Sequence, residues 1–130
     1  MQILQPPGWA KPRGYANGVV TRGKQVFIAG MVGWDEQGKF QAKDFLGQVA
    51  QALANIVAVL NEAGGKPEHI VRMTWYVTNK KEYLAAGKEV GKIFREKIGC
   101  YNAAMTAIEV TALMEDEAKV EIEATAVIPD

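Results

Sequence analysis

The run Lys119-Val120-Glu121-Ile122-Glu123-Ala124-Thr125-Ala126-Val127 alternates apolar and polar side chains with a period of two. On a strand, that period places Val120, Ile122 and Ala124 on one face and the carboxylates of Glu121 and Glu123 together on the other. A chain with this segment is constrained to build a sheet with one apolar face. Two acids side by side on the opposite face then require water, a partner or a chemical role. The preceding segment, Tyr101–Val110, reads as another strand, joined to this one by a short acidic turn.

The rest of the chain supplies the layers. Pro6, Pro7, Gly8, Pro12, Gly14 and Gly18 punctuate the opening, predicting an extended, turning arm in place of a helix. Gly18–Thr21 and Gln25–Met31, separated by Arg22-Gly23-Lys24, predict a β-hairpin. From Asp44, a suitable N-cap, to Ala63, the apolar residues Phe45, Val49, Leu53, Ile56, Val57 and Leu60 recur at helical steps and stop at Gly64-Gly65. Ile70–Thr78 alternates and is rich in β-branched and aromatic residues, so it predicts a strand. Lys80–Lys97 predicts a second helix, with Tyr83, Leu84, Val90, Ile93 and Phe94 on its stripe and Gly99 closing it. The order β-β-α-β-α-β-β predicts an α+β fold, a mixed β-sheet covered on one face by two α-helices, because each amphipathic helix must bury its stripe. The uncovered face, with Glu121, Glu123 and Thr125, is too polar for a closed core, and self-association would cover it.

Length and charge narrow the function classes. A chain of 130 residues predicts one domain over 1–130. Fifteen basic and fifteen acidic side chains leave no electrostatic footprint for a nucleic-acid backbone or an anionic bilayer, so neither nucleic acid nor membrane is expected as a partner. The opening lacks a secretory leader, and no later run approaches the ~20 apolar residues that span a bilayer. Cys100 is the only cysteine, which excludes an intrachain disulfide and fits a reducing, cytoplasmic setting.

Most isolated chemical candidates read as structural. One histidine, His69, cannot build a zinc site, and the chain contains no serine for a nucleophile. Cys100 has no cation or histidine beside it in sequence to lower its pKa. Glu115-Asp116-Glu117 falls in a turn and reads as solvated acids. Neither a metal nor a cofactor is expected. Gly30-Met31-Val32-Gly33 has the glycines of a phosphate loop but no helix begins there. Gly30 does leave room for close approach to the backbone. Trp34 and Trp75 suit either core packing or the lining of a cleft.

Arg13-Gly14-Tyr15, Val26-Phe27-Ile28-Ala29-Gly30, the Tyr101–Val110 segment and Val120-Glu121-Ile122-Glu123-Ala124 together resemble the reactive-intermediate/imine deaminase family, also called the YjgF or UK114 family. The resemblance covers nearly the whole chain and implies a chorismate-mutase-like fold, homotrimers with sheets turned inward, and ligand clefts between subunits. It implies that Tyr15 closes over the bound acid, that Gly30 lies at the cleft, and that Glu121 positions the attacking water. Ala103-Ala104-Met105-Thr106-Ala107 is similar to the family's Pro-Ala-Arg-Ser-Thr/Cys, which sets Met105 on the substrate-gripping arginine, Thr106 on the serine and Ala107 on the Thr/Cys. Gly87 falls where the family usually has an asparagine, and Gly14 where it has a proline.

These departures bear on mechanism. The arginine would hold a substrate carboxylate through a bidentate pair, and its loss costs ~1.5–3 kcal/mol in binding. Methionine offers a flexible apolar wall instead, suited to a larger or less charged substrate. Arg13 is the candidate substitute cation. Three readings stay open. The leading one is a hydrolytic deaminase of an imine, enamine or related small molecule, of the 2-aminomuconate type for example. The second is a non-catalytic binder or sensor using the same cleft. The third is the ribonuclease or translation-inhibitor activity ascribed to some relatives.

Overall fold

Eighteen residues from Phe45 to Glu62 form the first helix, α1, whose N-cap is the Asp44 side chain accepting from the Gly47 N–H. The structure, a computed structural model, describes residues 1–99 and 103–130. Ahead of α1 lie three strands, β1 (Gln2–Leu4), β2 (Gly18–Val20) and β3 (Lys24–Val32). After it come a 3-10 turn at Pro67–His69, strand β4 (Ile70–Val77) and helices α2 (Lys80–Ala85) and α3 (Gly87–Lys97). Strands β5 (Ala104–Glu109) and β6 (Val120–Ile128) follow.

The main sheet has the order β3-β6-β4-β5. β6 runs antiparallel to both neighbours, while β4 and β5 are parallel. The chain thus steps from β3 to β4 to β5 in one direction across the sheet, with a helical crossover at each step. Right-handed crossovers taken in the same direction lay their helices on the same face. That is why α1 and α3 pack against each other and leave the other face bare.

Beneath the helices one apolar cluster joins Val49, Leu53, Ile56 and Leu60 of α1 to Met73 and Trp75 of β4, Phe94 of α3, and Val120 and Ile122 of β6. Each fully buried aliphatic or aromatic side chain of this kind contributes roughly 1.5–3 kcal/mol. The bare face carries Glu121, Glu123 and Thr125, all half-buried, with Phe27, which is 74% exposed. The alternation expected of the last strand is therefore present, with its apolar positions inward.

Three local expectations are corrected. The segments around Gly18–Thr21 and Gln25–Met31 do not form a hairpin, since β2 pairs with β1 (Ile3 opposite Val19) and β3 pairs with β6. With only three residues, β2 takes the short edge offered by the N-terminal strand, and β3 is held by nine-residue β6. The closing strands are not neighbours either, because β4 lies between them. The single helix expected over Lys80–Lys97 is divided at Ala86, next to Gly87, a residue of poor helix propensity. The expectation for Cys100, and the start of the Tyr101–Val110 strand, lie outside the described residues.

Gln48 of α1 ties the layers together. It is fully buried, its Nε2 donates to the Glu117 and Ala42 carbonyls at 2.9 and 3.3 Å, and its Oε1 accepts from the Lys119 N–H at 2.8 Å. These bonds fix the entry to β6 relative to the first turns of α1. Gln48→Met keeps the volume but strands those backbone groups, each at ~1–3 kcal/mol. Urea denaturation should show a loss of about 3 kcal/mol; a loss below about 0.5 kcal/mol would contradict this role.

Candidate active site

The arm before β2 reaches the outer edge of β5. Its Ala16 N–H donates to the Ala103 carbonyl at 2.9 Å, and Ala16 bridges in parallel to Ala104. Just ahead, Gly14 adopts φ 78°, a left-handed turn that suits glycine. The turn leaves both Arg13 and Tyr15 lining a cleft of about 500 Å³ between the arm, β5 and the helices. Met105 and Ala107 stand opposite Met73 and Trp75 in the parallel β4–β5 register, and with Thr106 they form the strand wall. Across from them the cleft is bounded by Gly87, Val90 and Phe94 of α3 and by Tyr83 and Leu84 of α2.

At the strand wall, Trp75 is 3% exposed and lies 6.2 Å from Tyr83 and 6.4 Å from Phe94, centroid to centroid. Its indole N–H is buried and has no acceptor among the described residues. Such an orphan donor costs ~1–3 kcal/mol. Burial also raises the Tyr83 phenol above its ordinary value, so it stays a neutral donor. Glu109, at the end of β5, accepts from the Lys80 N–H at 2.7 Å, and Asn79 accepts from the Glu82 N–H at 3.0 Å. The first contact pins the start of α2 to the strand that carries Met105, and the second caps the helix.

Seven of the ten residues singled out from sequence therefore share one cleft: Arg13, Tyr15, Trp75, Gly87, Met105, Thr106 and Ala107. The other three lie elsewhere. Trp34 tilts against Phe40 at 5.8 Å, and its carbonyl accepts from Asn55 at 2.8 Å, so in this chain it closes the loop after β3. Glu121 stands opposite Val32 and Tyr76 on the bare sheet face. Gly30 lies beside it, at a bulge in β3, where a Cβ would overlap Glu121 Oε2. Gly30 and Glu121 thus form a second small constellation, a carboxylate laid against open backbone. Neither lines the cleft of the same chain.

Tyr83, Leu84, Val90 and Phe94 were legible only as a helical stripe; their second role, as the far wall of the cleft, follows from the edge position of β5. His69 fills its expected turn role, with Nδ1 accepting from the Lys66 N–H at 2.9 Å. Among the described residues, no group of three or more His, Cys, Asp and Glu is placed to hold a metal. No helix among them is long and apolar enough to cross a membrane.

A mixed sheet with both helical layers on one face and a cleft at its parallel edge strand defines a recognisable class. The profile of the family described as Endoribonuclease L-PSP matches residues 10–128. The chain is 31% identical over 113 residues to the 2-iminobutanoate/2-iminopropanoate deaminase of Salmonella typhimurium, spanning 87% of this chain and 86% of that one. Among solved structures, it superposes on YyfB of the conserved Rid protein family from Yersinia pestis with a TM-score of 0.84 and 33% identity, covering 98% of each chain. It superposes on TdcF of E. coli with bound serine at a TM-score of 0.71 and 30% identity, over 98% of this chain and 99% of that one. The chain belongs to this family, that of the RidA/YjgF proteins.

On the bare face, the Tyr76 hydroxyl donates to Glu123 Oε1 at 2.8 Å. That hydrogen bond raises the Tyr76 pKa above 10.0, helped by burial and by the charges of Glu123 and Glu121, and opposed by Arg72. A phenol with a raised folded-state pKa contributes stability that is present below its unfolded value and lost as pH rises through the folded one. Replacing Glu123 by Gln should move the Tyr76 titration down toward 10.0, read by alkaline ultraviolet difference spectra with Tyr76→Phe as the blank. An unmoved midpoint would contradict the assigned cause.

Proposed function

We propose that this protein is a hydrolytic deaminase of an imine or enamine, acting in the cytoplasm as a homotrimer. What supports this most is the split described above: a cleft with no carboxylate among its described lining residues, and a carboxylate on the opposite sheet face beside exposed backbone. In a symmetric assembly with its bare faces turned inward, Glu121 of one copy meets the cleft of the next. The deaminase named among the relatives supports the reaction class.

In this reading the substrate C=N carbon lies between the Met105 wall and the neighbour's Glu121. Water adds to that carbon while Glu121 accepts one of its protons. The C–O bond forms, the C=N π electrons go to nitrogen, and the resulting carbinolamine expels ammonia once the nitrogen is protonated. A carbonyl compound and ammonia leave, with no oxidant, reductant or metal consumed. The net charge of zero and, among the described residues, a single cation lining the cleft favour a small molecule over a nucleic acid.

A binder using the same cleft is the second reading, favoured by Met105, which cannot hold a carboxylate. Ammonia release from a panel of imino acids separates the two. Met105→Arg should create or raise hydrolysis of 2-iminobutanoate by about tenfold or more, the scale of one charge-assisted contact. On a confirmed substrate, Glu121→Gln should lower turnover about 10²-fold; equal turnover would remove the catalytic role. Sedimentation should give about three times the 14.2 kDa chain mass, and a stable monomer at micromolar concentration would remove the shared cleft.

A further inference from the structure

We infer that the ligand of the cleft is a carboxylic acid with a bulky apolar body, its acid group held by Arg13 and its body laid against Tyr83, Leu84 and Met105. The inference rests on the cleft being the substrate site and says which substrates fit it.

The volume comes first. About 500 Å³ is of drug-sized scale, and a three-carbon imino acid would leave most of it filled with water against apolar walls. Tyr83 and Met105 are half-buried and Leu84 is exposed, so their apolar surface is available to a ligand, while Trp75 and Phe94 pack behind them in the core. Space on the helix side comes from Gly87, at the start of α3. A Cβ at Gly87 would meet nothing within 4 Å, so this wall is open rather than packed.

Charge supplies the other half. Among the described residues that line the cleft, Arg13 is the one charged side chain. It is exposed and forms no ion pair with any of the described residues. With Met105 on the strand wall, β5 itself supplies no cation to the cleft. The acid is therefore drawn to the arm side, and the body fills the space between β5 and α3. This reverses the polarity of a site whose cation projects from the strand.

Calorimetric titration of the whole protein with phenylpyruvate, pyruvate and the methyl ester of phenylpyruvate tests the inference. Phenylpyruvate should bind at least about tenfold tighter than pyruvate, because its ring is removed from water. Arg13→Gln should weaken phenylpyruvate about tenfold and leave the ester unchanged. Gly87→Leu, which circular dichroism should show folded, should weaken phenylpyruvate by filling the space its ring needs. Equal binding of the two acids, no binding of phenylpyruvate, or an Arg13→Gln variant with unchanged affinity would overturn it. The outcomes also separate it from the deaminase reading. Tight aromatic-acid binding by a protein that releases no ammonia keeps this inference and removes catalysis, whereas hydrolysis of small imines without aromatic preference does the reverse.

Discussion

The two-residue period of β6 is the constraint on which the rest of the structure depends. Because this strand lies between β3 and β4, its side chains sit at the middle of both sheet faces. Val120 and Ile122, fully buried, give α1 and α3 something apolar to cover. Glu121 and Glu123 keep any helix off the other side, since burying two neighbouring carboxylates under an apolar layer would cost several kcal/mol each. A slip of one residue in register would exchange the two sets and destroy core and open face together.

Function inherits that sorting. The cleft is on the helix side of the sheet edge, where the arm, β5 and α3 meet. The Glu121 carboxylate is on the other side, with Gly30 keeping its surroundings clear of a side chain. We propose that a second copy completes the site, which gives the bare face a purpose beyond solubility. Met105 then sets the character of the cleft. Methionine makes that wall apolar and adaptable, and among the described residues lining the cleft the one charged side chain is Arg13 on the arm.

Much of this was legible in the sequence, for identifiable reasons. The Asp44 cap, the α1 stripe and the β6 alternation are local signals, and each element lies within a residue or two of where it reads. The pairing of strands is not local. Nothing in Gly18–Thr21 says that its partner is Gln2–Leu4, and nothing in the acidic turn says that it crosses β4. The same limit applies to the site. Tyr15, Met105 and Ala107 were found through resemblance to known motifs, while Tyr83 and Phe94 were hidden because a core stripe and a cleft wall share one composition. Trp34 shows the converse, since an aromatic just after β3 that suited a cleft wall is instead spent on Phe40 and the Asn55 bond.

The division of the site between copies is most directly tested by mixing two variants, Glu121→Gln and Gly87→Leu, unfolding them together in equal amounts and refolding. Each alone lacks one half of every site. In mixed assemblies about one site in four combines an intact cleft with an intact carboxylate from its neighbour, if association is random. Ammonia release from the best imine substrate should therefore recover to about a quarter of the wild-type rate. A mixture no more active than its components would show that cleft and carboxylate do not work across the interface.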